Sequence, residues 1–369
     1  MKTRPGAQRW SFASALIVSC AMAASAAVEI AGFMDYRYDD AENTEGQFQF
    51  RPGNGVELSL SSELSPHVTA QATIVSGGGG FTLGPSFVDW NIKAAGEHDV
   101  HGAMVDHSGI QAGLFDVPFG IESRYYSSVD RPTVSAPFLT ARLLGGGWTD
   151  YGFHAYFSNQ CGEEECPGPF TLDLYGVTGL QWNDGADAIL GTLDDGLVTV
   201  PLTAFSNGRT LGGRFGFSVT DGLELGGSYA RGDYHANIGG MDPGMTLTGL
   251  DVTLSHGALA VRGEYATFSG EIPAGPDREI KTWYIEATYE WTDRLTPVIR
   301  YDEIMFEFDR DGDGLRNDGL KAWLGGIKYA LTDNLALRAE YQIYHYQKPG
   351  FQVSSARDHG FRASAVAEF

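Results

Sequence analysis

Polar and apolar residues alternate with a period of two along several segments of the chain. The clearest segment has one apolar set and one largely polar set: Trp283, Ile285, Ala287, Tyr289 and Trp291 alternate with Thr282, Tyr284, Glu286, Thr288 and Glu290. The same period recurs at 335–343 and 250–255. Successive side chains of a β-strand point to opposite faces. The pattern therefore predicts strands whose two faces meet different surroundings.

Short connections of one form recur between these segments. Thr220-Asp221-Gly222-Leu223, Thr292-Asp293-Arg294-Leu295 and Thr332-Asp333-Asn334-Leu335 share the form Thr-Asp-x-Leu, and 65–68 is a diverged member. Longer polar stretches rich in glycine separate them. At roughly 20 residues per strand with its connection, the chain accommodates about 16 antiparallel strands, with 14 or 18 also compatible.

The first 26 residues have the features of an export signal. Lys2, Arg4 and Arg9 precede the apolar run 10–24, and Ala24-Ser25-Ala26 offers small residues for cleavage. We expect 1–26 to be removed. The alternative is a lipid-bearing Cys20, because Ile17-Val18-Ser19-Cys20 loosely resembles a lipobox.

The remaining chain, 27–369, is strongly acidic. It carries 22 basic and 47 acidic residues, a formal net charge of −25, which excludes a general nucleic-acid binder. No tract rich in Pro and Ser divides it, and no later segment is long enough for a transmembrane helix. A chain of this kind spans a membrane only as a closed barrel. We predict an all-β transmembrane antiparallel β-barrel with short periplasmic turns and long extracellular loops.

The C-terminal segment alternates up to the last residue. Phe361, Ala363, Ala365, Ala367 and Phe369 share one face. This end resembles that of bacterial outer-membrane porins, in which the terminal aromatic residue is part of the assembly signal. The resemblance implies recognition by the barrel assembly machinery through Phe369. A secreted, soluble β-sandwich or β-propeller is the alternative fold.

A more specific resemblance lies in the first half of the chain. Gly113-Leu114-Phe115-Asp116-Val117-Pro118-Phe119-Gly120 is similar to the G-x-F-x-x-P-F-G segment of the phosphate-selective porins, the porin O and porin P family. Phe87-Val88-Asp89-Trp90 and Trp148-Thr149-Asp150-Tyr151-Gly152 resemble the flanking strands of that family. The resemblance implies a homotrimer of 16-stranded pores, each narrowed by an inward-folded loop, here near 118–147.

That loop carries the candidate constriction residues, which are Arg124, Arg131 and Arg142 with Glu122 and Asp130. Arginines at a narrow point would concentrate anions. Alternatively, these arginines pair with neighbouring acids or with the barrel wall. Against a phosphate filter, no lysine lies between Lys93 and Lys281.

Three strand segments place a cation and an acid two residues apart on one face. The pairs are Arg262 and Glu264, Arg300 and Asp302, and Arg338 and Glu340. We predict that they line the lumen, where they would create a transverse field. Ion pairing between neighbouring strands is the alternative role.

An acidic segment has the spacing of a calcium-binding loop. The candidate oxygen ligands are Asp309, Asp311, Asp313, Leu315, Asn317 and Asp318, but Leu320 stands where an EF-hand has its bidentate Glu. The sequence predicts either an extracellular Ca²⁺ site, able to bridge to lipopolysaccharide phosphates, or an unliganded solvated loop.

Two cysteines lie close together in the chain. We predict that Cys161 and Cys166 form a disulfide in another external loop. His98, His101 and His107 lie in a long connection, where solvated side chains and a transition-metal site are alternative interpretations.

No catalytic motif is present, and no cofactor is required. The predicted function is passive diffusion of small hydrophilic solutes or ions across the outer membrane, with a leaning toward anions or phosphate. The alternatives are a surface receptor or adhesin, or a barrel hydrolase acting on lipid or peptide.

Overall fold

The computed structural model describes residues 27–41, 49–77, 80–93, 105, 107–122, 131–159, 169–183, 196–199, 209–233, 244–271, 277–307, 318–346 and 357–369. Its strands are β1 (Val28–Ala41), β2 (Gln49–Ser65), β3 (Val68–Gly77), β4 (Gly80–Lys93), β5 (His107–Asp116), β6 (Thr149–Asn159), β7 (Phe170–Val177), β8 (Leu180–Asn183), β9 (Gly196–Thr199), β10 (Thr210–Thr220), β11 (Leu223–Asp233), β12 (Gly244–His256), β13 (Leu259–Gly270), β14 (Arg278–Tyr289), β15 (Leu295–Phe306), β16 (Asp318–Thr332), β17 (Leu335–Tyr346) and β18 (Arg357–Glu368). Within these ranges, no helix is long and apolar enough to cross a membrane.

Sixteen of these strands form one closed antiparallel barrel, which confirms the predicted fold and strand number. The first and last strands close it, with Phe33 opposite Glu368 and Ala41 opposite Gly360. The main chain of Phe369 extends the seam, because its N–H donates to Gly32 O and its carbonyl accepts from Gly32 N–H. The remaining two strands, β8 and β9, form a hairpin outside the barrel order.

The burial pattern is inverted relative to a water-soluble barrel. On β14, the apolar Ile285 is 49 % exposed on the outer face, whereas the neighbouring Tyr284 and Glu286 point inward and are buried. Leu250 on β12 is 66 % exposed in the same way. An outer wall of exposed apolar side chains is stable in lipid, since each methylene group removed from water contributes about 0.8 kcal/mol.

The Thr-Asp-x-Leu turns lie at one end of the barrel, as expected, where they join β10 to β11, β14 to β15 and β16 to β17. The strict alternation of short and long connections does not hold. Because neighbouring strands are antiparallel, successive connections alternate between the two ends of the barrel. β3 and β4 are joined by only two residues, at the end opposite the Thr-Asp-x-Leu turns. The longer connections from β4 to β5 and from β6 to β7 join strands at the same end as those turns.

Cys161 and Cys166 belong to the connection between β6 and β7. Both residues lie outside the described ranges, so their disulfide stays a prediction.

The hydrophobic core lies inside the barrel. The connection between β5 and β6 enters the lumen, and its π-helix, Leu139–Leu143, buries Leu139 and Leu143. These side chains belong to one cluster with inward-facing residues of the wall, including Leu247, Phe268 and Ile304. The inner face of β12–β16 therefore carries apolar residues because chain, and not water, covers it.

Candidate pore constriction

Two glycines, one within β5 and one four residues beyond its end, have backbone conformations that favour glycine. Gly113 has a φ of 138°, and a Cβ there would lie 2.5 Å from Ser86 O of β4. Gly120 has a φ of 70°, and a Cβ there would overlap Glu264 Oε1. Both positions require glycine, because other residues rarely adopt these angles and have no room for a side chain.

Between these glycines the chain buries four apolar side chains, Leu114, Phe115, Val117 and Phe119. The Phe119 ring lies 6.3 Å from the Trp148 ring, at the other end of the segment. A Cβ on Gly249 of β12 would lie 3.1 Å from Phe119 Cζ, so this glycine allows the close approach. The motif at 113–120 thus both turns the chain inward and packs it against the wall.

We call the described residues 117–122 and 131–148 the inward segment. Its first anchor is on β11, β13 and β14. The N–H of Gly120 donates to Ser228 Oγ at 2.9 Å, and the N–H of Ile121 donates to Glu264 Oε1 at 2.7 Å. Glu122 is fully buried and accepts from Arg262 Nη1 at 2.6 Å and from the Tyr284 hydroxyl at 3.1 Å.

A second anchor is on β17. Arg338 donates from Nη1 to the carbonyl oxygens of Arg131, at 3.2 Å, and Thr133, at 3.1 Å. Glu340 Oε2 accepts from the N–H groups of Val134, at 2.8 Å, and Ser135, at 3.1 Å. The guanidinium of Arg338 donates to the two carbonyl oxygens, and the carboxylate of Glu340 accepts from the two N–H groups. Residues 131–135 therefore lie against the wall with these main-chain atoms hydrogen-bonded.

A third anchor is centred on Arg300 of β15, whose side chain is fully buried. It donates to Asp302 Oδ2 at 2.8 Å, to Ser135 O at 2.9 Å and to Thr133 Oγ1 at 3.0 Å. Asp302 in turn accepts from the N–H of Phe138 at 3.1 Å, just before the π-helix. A buried charge of this kind requires such partners, because an unpaired one is very costly.

These contacts correct the expectation for the six predicted lumen residues. Arg262, Glu264, Arg300, Asp302, Arg338 and Glu340 all point into the barrel, but each is at most 6 % exposed. The inward segment covers them, so they do not present their charges to open water. We call the inner face of β11–β17 the covered wall. Pairing between strands, the alternative role, also occurs, as Arg262 Nε lies 2.8 Å from Glu286 Oε1.

The predicted constriction residues have different surroundings. Arg131 is buried, with its Nε 3.6 Å from Glu122 Oε2. Arg142 lies in the last turn of the π-helix and is partly exposed. Arg124 and Asp130 lie outside the described residues. An anion filter formed by these arginines stays a prediction.

The inner face of β2–β7 differs from the covered wall. Its partly exposed polar side chains include Glu57, Ser59, Gln71, Asp89, Gln111, Tyr156 and Asp173. We call this set the open wall. Ser59 Oγ and Thr73 Oγ1 are 2.9 Å apart, and the Tyr156 hydroxyl donates to Asp89 Oδ1 at 2.9 Å. Sequence reasoning missed these residues, although the polar alternate positions at 57–61 and 69–73 were a signal for them.

The predicted calcium ligands Asp309, Asp311, Asp313, Leu315 and Asn317 lie outside the described ranges, and Asp318 begins β16. Within the described part of the chain, no group of three or more His, Cys, Asp or Glu side chains is placed to hold a metal ion. Next to this segment, a hydrogen bond from Lys281 Nζ, 2.6 Å from Glu307 Oε1, lowers the pKa of Glu307.

Comparison with known proteins agrees with this architecture. The sequence profile of the Gram-negative porin family matches residues 181–349, slightly less than half of the chain. The sequence matches none of the curated proteins with which it was compared.

Among solved structures, the fold is similar to that of three outer-membrane proteins. An OmpT variant of Vibrio cholerae lacking loop L8 superposes with a TM-score of 0.63 at 9 % identity, covering 94 % of this chain and 100 % of that one. The anion-selective porin from Comamonas acidovorans superposes with a TM-score of 0.63 at 14 % identity, covering 94 % of this chain and 100 % of that one. The outer-membrane channel DcaP of Acinetobacter baumannii superposes with a TM-score of 0.61 at 9 % identity, covering 93 % of this chain and 97 % of that one.

At these identities the structural matches establish the fold alone. They do not confirm the finer resemblance to the phosphate-selective porin O and porin P family. The profile match and the closed barrel of sixteen strands together support a Gram-negative porin in the outer membrane.

Proposed function

We propose that this protein is a passive, non-enzymatic channel for small hydrophilic solutes across the outer membrane. One observation carries the proposal. The inward segment is anchored on the covered wall at β11, β13, β14, β15 and β17, whereas the open wall keeps partly exposed hydroxyl, amide and carboxylate groups. A path between the segment and the open wall offers hydrogen-bonding groups to water and to polar solutes.

A preference of the channel for anions or phosphate requires at least one of Arg124, Arg131 and Arg142 to face the water path. Arg131 is only 3 % exposed, which leaves Arg142 as the described candidate.

The proposed assembly is a homotrimer, by analogy with the trimer form of OmpT from Vibrio cholerae. The exposed Phe369 ring at the barrel seam is available for recognition by the assembly machinery. The signal at 1–26, contact with lipopolysaccharide and Ca²⁺ binding at 309–318 belong to the same proposal and rest on sequence alone.

The test is conductance of the purified, refolded protein in a planar lipid bilayer. We expect stepwise increases in current and swelling of liposomes in small neutral sugars. The double variant Arg124→Ala, Arg142→Ala, recorded across a potassium chloride gradient, tests the anion filter, since loss of an anion-favouring potential would support it. Correctly folded protein that gives no steps would contradict the channel. If such protein released products from phospholipid or peptide, it would be a hydrolase. If it bound a ligand without forming a product, it would be a receptor.

A further inference from the structure

The two sides of the lumen differ in how their charges are neutralised. On the covered wall, Arg262 lies 2.6 Å from Glu122, Arg300 lies 2.8 Å from Asp302, and Arg338 lies 3.4 Å from Asp35. The three guanidinium side chains are almost fully buried. Their charges are paired with carboxylates and separated from water, so they contribute little to the potential in an aqueous path.

The open wall carries three partly exposed acids, Glu57, Asp89 and Asp173. Asp173 lies 2.8 Å from Nε2 of His154, an imidazole that is positively charged only when protonated. Among the inward side chains of β2–β7 that the structure describes, none is Lys or Arg. Each adjacent strand carries an arginine in an ion pair. Arg214 on β10 is held by Asp251 at 2.7 Å and Glu224 at 3.4 Å, and Arg37 on β1 lies 3.3 Å from Asp35.

The carboxylate of Asp89 is held in place by neutral hydrogen-bond donors. Its Oδ1 accepts from the Tyr156 hydroxyl at 2.9 Å, and its Oδ2 accepts from Gln111 Nε2 at 3.5 Å. Both donors are neutral, so they fix the orientation of the carboxylate without cancelling its charge.

Between the two walls, three arginines share two carboxylates. Asp35 lies 3.3 Å from Arg37 on β1 and 3.4 Å from Arg338, and Glu340 lies 3.6 Å from Arg362 on β18. This border is therefore not acidic, and the acids of the lumen that face water are those of the open wall.

We propose that the water path follows the open wall and prefers inorganic monovalent cations, with Asp89 as its specificity-determining residue. This inference rests on the proposed channel function. It differs from the anion filter predicted from the loop arginines, because it assigns selectivity to the wall opposite the inward segment.

The experiment is the reversal potential of the refolded channel across a potassium chloride gradient at pH 8, where unperturbed imidazole is neutral. We expect the wild type to favour potassium. Asp89→Asn should lower the ratio of potassium to chloride permeability by about two- to fivefold, because a unit charge about 4 Å away in water changes an ion's local concentration by up to that factor. The triple variant Glu57→Gln, Asp89→Asn, Asp173→Asn should lower it further.

Asp221→Asn is the matched control, because it removes one exposed acid from the turn between β10 and β11. We expect it to keep the wild-type ratio. Every variant is first checked for the heat-modifiable electrophoretic mobility of a folded barrel.

A wild-type potential that favours chloride would overturn the cation preference and leave the channel intact. An unchanged ratio in Asp89→Asn would overturn the role of that residue, and an unchanged ratio in the triple variant would overturn the open wall as the filter. Folded protein that produces no current steps would overturn both this inference and the proposed channel.

Discussion

The covered wall and the open wall belong to one barrel, and both carry polar residues at alternate positions. On the covered wall, Arg300 and Glu340 bind a returning segment of chain and are buried. On the open wall, Ser59 and Asp89 are partly exposed and contact neighbouring strands. The same period of two thus supports two roles, attachment on one side and a hydrated surface on the other. The stability of the inward segment should depend on the first wall and the selectivity on the second.

The largest effect is expected from removing a buried cation. Arg300→Met leaves the buried Asp302 without its cation and Glu286 with Arg262 alone, and we expect a loss of about 3–5 kcal/mol in the free energy of unfolding. The measurement is denaturant unfolding in detergent, followed by tryptophan fluorescence.

Arg37→Met is the matched control, since this arginine lies at the border of the open wall. We expect the free energy of unfolding to fall by at most about 1 kcal/mol, because Arg37 is partly exposed and Asp35 keeps its ion pair with Arg338. Equal losses for both variants would remove the distinction between the two walls.

A smaller effect is expected at the inward turn. Gly120→Ala introduces a Cβ that overlaps Glu264 and displaces it from the Ile121 N–H and the Tyr284 hydroxyl. Gly146→Ala, at a φ of 106° but with open space around the new Cβ, imposes backbone strain alone. We expect Gly120→Ala to cost about 2 kcal/mol more than Gly146→Ala. Similar unfolding curves would show that contact with Glu264 contributes little.

The smallest difference is expected between two serines. Ser135 Oγ accepts from Arg300 Nη2 and Gln342 Nε2, both at 3.0 Å, and Ser135→Ala should cost about 1–1.5 kcal/mol. Ser59→Ala on the open wall should cost less than about 0.5 kcal/mol, since water can replace its hydroxyl. The same unfolding measurement compares them, and a larger loss at Ser59 would contradict the assignment of the two walls.

Much of the architecture was predictable from the chain alone. Alternation at 282–291 identified a strand and its lipid-facing residues, and Thr-Asp-x-Leu located three tight turns. The segment at 113–120 indicated where the chain leaves the wall, and its two glycines have a local conformational reason. These features depend on residues close together in sequence, so their pattern is visible without the structure.

Only the tertiary structure decided which polar residues meet water. Ile121 contacts Glu264, 143 residues away, and Val134 contacts Glu340, 206 residues away. The sequence by itself determined the strands, the turns and the face on which each side chain lies, because a period of two sets the direction of a side chain. It did not determine that the inward segment covers the charged residues of β11–β17 and leaves Ser59 and Asp89 on the other side partly exposed, because that choice depends on contacts between distant parts of the chain.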